Sequence, residues 1–328
     1  MTAPVTVLEF PFEERRFKAN WMKYLANKFP LLTLDQDFAL LKRSGPFGVS
    51  IHKQLHMVGW NSAWVQDLEY RLVDKLQWIG PSLGWSSMRF KWVDSLKNHQ
   101  AHEQLKQSGY RCYTEPADCI FWADISGGWQ AYLLKHSKSR RKDIKRQLKR
   151  AEKNQLEYIT FSGKNAVQDF FNLFIPAHID YWKSKTGNSF FEDEREQQFF
   201  KRWITELYQE NKVILSGLKL NTELAHLAVT ICKSKNTHLG LLSITTGKQS
   251  KLAPGIVGAY LQIRVAAEAK ATWFNMGPGY HLYKQQAATH QQTCYQTIVV
   301  NPASFRGRLY EKFLLLKKMR FLSSKNLD

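Results

Sequence analysis

The feature that most constrains this chain is a set of three short alternating segments followed at once by a strand–helix–strand pattern. Residues 213–220, 224–232 and 237–245 alternate apolar and polar positions. They are joined by short polar turns, Asn221-Thr222-Glu223 and residues 233–236. That spacing predicts an antiparallel meander. Residues 256–270 then place Ile256, Tyr260, Ile263 and Ala267 on one helical face, and residues 272–276 return to a strand. A strand that crosses over through a helix returns as a parallel neighbour. Antiparallel pairing on one side and parallel pairing on the other make a mixed sheet with helices packed on it.

The flanking pattern extends this order. Residues 155–163 predict a strand, residues 166–184 and 193–210 two helices, the stretch from His281 a helix, and residues 293–300 a last strand. The first 125 residues are similar in kind but blurred. Strand candidates are 5–10, 38–41, 49–51, 57–60 and 76–79, and helix candidates are 12–28 and 86–107. A length of 328 residues exceeds the roughly 250–300 at which one core stops growing, so two domains are expected. The expected division is 1–125, a basic connecting helix over 126–154, and 155–328.

Composition narrows the class. Hydrophobic residues make up 44% of the chain, which excludes wholesale disorder. No apolar run approaches the ~20 residues of a membrane span. The opening MTAPVTVLEFPFEERR has acids and prolines where a secretory signal needs an apolar stretch, so a cytoplasmic location is expected. Cys112, Cys119, Cys232 and Cys294 are scattered, with no C-x-x-C pair, and the histidines show no metal-ligand spacing. Reduced thiols and no metal are the reading.

The net charge of +19 is concentrated in two places. Residues 135–153 hold ten Lys and Arg against Asp143 and Glu152, and residues 306–325 hold seven against Glu311. Such a field favours polyanions: nucleotides, nucleic acid, acidic lipid or acidic glycan. Residues 133–153 lack Gly and Pro, and Ile144, Leu148 and Ala151 recur at i, i+4 and i+7. A helix with a thin apolar stripe and a wide basic face is expected there.

Three segments carry candidate chemistry. The first runs from Thr245 to Gly258, where a strand ends, a polar loop follows and Pro254-Gly255 opens a helix. The amides of Gly255, Ile256, Val257 and Gly258, with Lys248 and Lys251 beside them, form a candidate pyrophosphate cradle. The alternative is an ordinary helix start. The second segment is Phe274-Asn275-Met276-Gly277-Pro278-Gly279 with Tyr280, His281, Tyr283 and Lys284. Parallel neighbours end on one sheet edge, so this loop should face the Pro254-Gly255 loop. A phenol and an ammonium there suit acyl transfer from a thioester, in which an amine loses a proton and a thiolate gains one. The alternative is a turn with amphipathic aromatics and a surface lysine. The third segment is His178 with Trp182 at i+4, followed by the Gly187-Asn188-Ser189 turn. His178 is read either as a satisfied structural histidine or as an acceptor-site wall or base.

Together these residues resemble the CelD-like acetyltransferases, relatives of the Fem aminoacyl transferases within the GNAT superfamily. The resemblance rests on Tyr132-Leu133 with Ser137 or Ser139, Arg140, Arg141 and Arg146. It rests also on His178 and Trp182 with Gly187, on Ala253-Pro254-Gly255, and on Phe274 to Gly279 with Tyr283-Lys284. It implies tandem GNAT-like domains, with the first degenerate and the donor site in the second. It further implies an acyl-CoA co-substrate, most often acetyl-CoA, and an amine acceptor such as an amino sugar or cell-envelope precursor. On that reading Pro254 to Gly258 and Lys251 hold the cofactor. Tyr283, Lys284 and His178 act at the reacting groups. Trp182, Asn275, Tyr280 and His281 line the acceptor side. Asn275 stands where the family has Asp, and Ala253 where it has Ser. Two alternatives are a Fem-like transfer from charged tRNA, and a non-catalytic module for nucleic acid or anionic membrane.

Overall fold

The computed structural model describes residues 15–25, 31–33, 38–44, 50–57, 64–65, 85–94, 96–232, 236–247 and 250–325. The chain divides into two compact units. One comprises residues 1–117 and 293–328, and the other residues 118–292. The second unit therefore holds all of 126–154 together with 155–292, while the last 36 residues belong with the first.

In the first unit, helix α1 (Arg15–Tyr24) precedes strands β1 (Leu31–Thr33), β2 (Phe38–Ser44), β3 (Ser50–Met57), β4 (Trp64–Val65) and β5 (Ser87–Val93). Helix α2 (Leu96–Gln107) and strand β6 (Arg111–Asp124) follow, and β6 runs across the division. β2 pairs antiparallel with β1 and with β3, while β3 and β4 pair parallel with β5. The helix expected over 86–107 is corrected: its first part is β5. Met88, Phe90 and Trp92 are buried while Arg89 is exposed, a period of two that no helix can bury on one side. The expected elements at 5–10 and 76–79 lie outside the described residues.

The second unit continues with α3 (Gly128–Leu134), α4 (Lys138–Lys153), β7 (Leu156–Thr160), α5 (Ala166–Thr186), α6 (Glu194–Gln209), β8 (Val213–Leu220), β9 (Glu223–Cys232) and β10 (Thr237–Thr245). Then come α7 (Pro254–Glu268), β11 (Trp273–Pro278), α8 (Leu282–Ala287) and β12 (His290–Val300), which carries the chain back to the first unit and to α9 (Phe305–Lys325). There β12 pairs antiparallel with β5 from Cys294↔Val93 to Val300↔Ser87. The sheet order in the second unit is β6-β11-β10-β9-β8-β7. β7, β8, β9 and β10 pair antiparallel, β10 and β11 pair parallel, and β11 pairs antiparallel with β6. The sheet of the second unit is mixed, as the element order predicts.

The basic stretch differs in one respect. It forms two helices, broken at residues 135–137, because the Ser137 hydroxyl caps α4 by accepting from the Arg140 amide at 3.3 Å. The thin apolar stripe packs as expected. Ile144 joins Tyr132, Leu133, Phe121, Tyr260, Ile263 and Phe274 in one buried cluster, and Ala151 packs with Val257, Leu218 and Ala225.

Helix α7 lies unusually close to β9. A Cβ on Gly258 would stand 2.5 Å from His226 Nε2. His226 is fully buried, and burial lowers its pKa to about 4, so the ring stays neutral. Gln262 ties the two elements together, accepting from Thr230 Oγ1 at 3.1 Å and donating to the Gly258 carbonyl at 3.3 Å. Gly258→Ala should therefore destabilise the fold by about 1–3 kcal/mol, the usual cost of forcing atoms into a packed core. Urea unfolding should show a lower midpoint with an unchanged slope.

Candidate active site

Strands β10 and β11 pair from Thr237↔Trp273 to Leu239↔Asn275, and the pairing stops there. At the same level β10 has an irregularity against β9 between Gly240 and Leu242. β11 shifts register against β6 between Asn275 and Pro278. Each strand thus bends just past the last shared pair, and their carboxyl ends run on separately to Thr245 and Pro278. The two glycines at the parting fit the close approach. A Cβ on Gly240 would meet the Phe274 ring at 3.4 Å, and one on Gly277 would lie 3.6 Å from the Gly240 carbonyl.

Helix α7 opens beside the end of β10. Ala253 is its N-cap, in the left-handed region at φ 49°, and Pro254 takes the first helical position. A Cβ on Gly255 would meet Thr245 Cγ2 at 3.1 Å, so this turn needs glycine to lie against the strand. No acid occupies the first turn, and Lys251 is exposed beside it. The cradle is narrower than the sequence suggests. The Val257 amide bonds to the Ala253 carbonyl at 3.1 Å, the Ile256 amide bends to the same oxygen at 3.0 Å, and Gly258 packs closely against the His226 ring. Of the Gly255, Ile256 and Val257 amides, that of Gly255 is the one not turned onto the Ala253 carbonyl, and it is the group an anion would meet. Lys248 lies outside the described residues.

The end of β11 makes the opposite wall. Asn275 is buried, and its Oδ1 accepts from the Gly277 amide at 2.7 Å, so it holds the turn rather than presenting a free side chain. Gly279 adopts φ 107°, and its amide donates to Asp118 Oδ1 at 3.1 Å and to the Cys119 carbonyl at 3.2 Å. Lys284 is only 6% exposed, and its Nζ donates to the Pro278 carbonyl at 2.5 Å. Burial pulls its pKa down to about 8, with the Asp118 carboxylate pulling the other way. His281 is exposed and stacks on Tyr283 at 5.8 Å between ring centres. Its pKa is lowered by burial and by Lys284. Tyr280 is exposed, its ring edge against Phe121.

Tyr283 reaches back across the parting. Burial raises its pKa, while a hydrogen bond with the Ser243 side chain of β10 works against that rise. Tyr181 of α5 is its other electrostatic neighbour. The side chain is therefore close to Ser243 of β10, and its hydroxyl stays protonated at neutral pH. His178, one turn before Trp182, is 4% exposed and surrounded by Phe174, Trp182, Phe190 and Phe191. Its Nδ1 pairs with Ser189 Oγ at 2.9 Å, and burial lowers its pKa to about 4. A neutral, enclosed ring locks the turn after α5 and thereby the helix end that carries Tyr181 and Trp182.

Thus the structure joins Tyr283, Lys284, Asn275, His281 and Tyr280 on one wall, and Pro254, Gly255 and Ile256 at the neighbouring helix start. Three further residues belong with them: Asp118, Ser243 and Tyr181. Asp118 is far away in sequence and reaches Gly279 through strand pairing alone. Ser243 is one of the outward positions of an alternating strand. Tyr181 precedes Trp182 by one residue, and its aromatic ring was the only local signal.

The buried lysine has a stability consequence. Its folded pKa lies below the ordinary value of 10.5, so between about pH 8 and 10.5 the unfolded chain binds more protons than the folded one. The cost of burying its charge is fully present below pH 8 and is relieved as pH rises. Compared with Lys284→Met, the wild type should gain about 2 kcal/mol between about pH 7.5 and 9.5, at 1.36 kcal/mol per pH unit. A stability difference that stays flat over that range would contradict the assignment.

Comparison with known proteins follows the same lines. Residues 138–285 match the family model of the acetyltransferase (GNAT) domain. No curated protein matches the chain in sequence. Solved structures share its fold at low identity. FemX is 10% identical with a TM-score of 0.55, over 91% of this chain and 97% of FemX. The C-terminal domain of a putative lysylphosphatidylglycerol synthetase from Agrobacterium fabrum is 12% identical with a TM-score of 0.54, over 91% and 92%. A conserved protein of unknown function from Bacteroides thetaiotaomicron is 12% identical with a TM-score of 0.53, over 90% and 95%. These are likenesses of fold. The matched segment runs from the start of α4 to the residue after Lys284, and over it this chain is similar to GNAT-type acetyltransferase domains.

Proposed function

We propose that the protein transfers an acyl group, in the first instance acetyl, from coenzyme A to an amine acceptor. The observation that carries this reading is the parting of β10 and β11 beside a helix start that has no acid, with Tyr283 close to Ser243 of β10. The residues present fit the cofactor. The first turn of α7, at Gly255, would take the pyrophosphate, with Lys251 adding charge. The freed edge of β10 is a template for the amide groups of an extended arm. The thioester would then lie at the parting, between Tyr283 and Lys284.

The chemistry follows from these positions. The acceptor nitrogen attacks the thioester carbonyl, a C–N bond forms, and the C–S bond breaks. Tyr283, kept protonated by burial, gives its proton to the leaving thiolate. The nitrogen must shed a proton, and Lys284, with its pKa near 8, takes it in the neutral form. Tyr280 and His281 flank the acceptor, Asn275 and Asp118 hold the turn that aims Lys284, and His178 positions Tyr181 and Trp182. The acceptor class we favour is an amino sugar or cell-envelope precursor, as in the CelD-like branch that the Pro254-Gly255 and Tyr283-Lys284 motifs resemble.

Calorimetric titration with acetyl-CoA and longer acyl-CoAs should show saturable binding that Gly255→Asp abolishes. The new carboxylate would face an anion, and its Cβ would press on Thr245. With an acceptor in hand, Tyr283→Phe should lower kcat about 100-fold while leaving KM for the acyl-CoA within about threefold. The kcat/KM profile should rise with pH to a plateau above about 8, and lose that limb in Lys284→Met. No binding of any acyl-CoA by a folded sample would overturn the reading.

A second reading is transfer from a charged tRNA. It is favoured by the basic groove at the start of α4, lined by Ser137, Ser139, Arg140, Lys142, Asp143 and Arg146. It would be marked by tRNA affinity that falls steeply with salt, and by acyl transfer that needs no acyl-CoA.

A further inference from the structure

Helix α9 of the first unit has its orientation fixed from beneath. A Cβ on Gly307 would lie 3.1 Å from the Ser86 carbonyl, so that position is pressed against the unit. One turn later Glu311 is buried, and it accepts from Arg111 Nη1 at 2.6 Å and from the Tyr113 hydroxyl. With Gly307 and Glu311 turned inward, the opposite face looks out. That face is apolar. Phe305 is 71% exposed, Leu309 52%, Phe313 59% and Leu316 55%. At 3.6 residues per turn these four fall within an arc of about 80°. A folded surface normally hides four large apolar side chains in line, and leaving them in water marks a surface that meets something.

The flanks state what it meets. Arg306 lies on one side of the stripe and Arg308 and Lys312 on the other, all exposed. In sequence the segment continues with Lys317, Lys318 and Arg320, and residues 306–325 hold seven Lys and Arg against Glu311 alone. That one acid is already held by Arg111. An apolar strip bordered by cations on both sides matches the interface of an anionic bilayer. There the apolar side chains enter the acyl boundary and the basic ones stay among the headgroups. A second copy of the chain would fit poorly, because a two-fold pairing on this face sets the same cations opposite each other. No helix among the described residues is long and apolar enough to cross a membrane, so the contact lies on the surface.

We propose that α9 docks this protein on an anionic lipid surface through Phe305, Leu309, Phe313 and Leu316, with Arg306, Arg308 and Lys312 at headgroup level. The proposal is independent of the acyl-transfer reading, because the residues lie in the other unit. The test is flotation of the full chain with phosphatidylcholine vesicles, with and without roughly one-third phosphatidylglycerol. Wild type should float with the anionic vesicles and remain behind with the neutral ones. The double variant Leu309→Ser/Phe313→Ser should lose about tenfold in partition, since it removes half of the apolar strip. Arg308→Glu/Lys312→Glu should lose a similar amount and keep the strip, and wild-type binding should weaken as salt rises to about 0.5 M. All four positions point outward, so circular dichroism melts of both variants should match wild type. Sedimentation velocity provides the opposing arm. The proposal is overturned by absent binding, by binding that ignores lipid charge or either variant, or by a concentration-dependent dimer that the Leu309/Phe313 variant abolishes.

Discussion

The candidate site depends on one event in the sheet: β10 and β11 begin as parallel neighbours and separate after Leu239 and Asn275. The crossover helix α7 forces the parallel start, and its first turn then opens beside the end of β10. The separation gives that turn and the Gly277–Lys284 segment a shared gap. Without it, β10 and β11 would continue as an ordinary ladder, and the helix start would face nothing. The close seating of α7, where Gly258 rests on the His226 ring, belongs to the same constraint, because it holds the crossover tight against the sheet.

Burial then sets the chemistry. Two neighbouring residues of α8, Tyr283 and Lys284, are taken from water and respond in opposite ways. The phenol is pushed up, away from ionisation, and the ammonium is pulled down towards neutrality. One group becomes a firmer proton holder and the other a readier proton acceptor. His178 undergoes the same desolvation without joining the pair, because its ring is enclosed by aromatic side chains and paired with Ser189. Its contribution passes through the geometry of α5.

The second unit was legible because its signals are local. Polar turns separate β8, β9 and β10, alternation marks each strand, and Pro254-Gly255 opens the helix. Elements read from these signals match the structure to within a few residues. The blurred signals failed where two periods compete. Ser87–Val93 carries large residues that suit either a helix or a strand, and only burial of Met88, Phe90 and Trp92 on one side decided for the strand. The basic run is a second case: it reads as one helix until Ser137 is seen capping α4.

Taken alone, the sequence determined the mixed sheet, the crossover and the glycines at the turns, and it singled out Tyr283 and Lys284 as candidates. These follow from periodicity and from side-chain identity, which are properties of neighbouring residues. The tertiary structure decided which amides of α7 remain available, that Asp118 and Ser243 stand at the site, that His178 is enclosed, and that α9 turns an apolar face outward. Each of these depends on strand pairing or packing between residues distant in the chain, and desolvation, which sets the two opposed pKa shifts, exists only once those residues have been brought together.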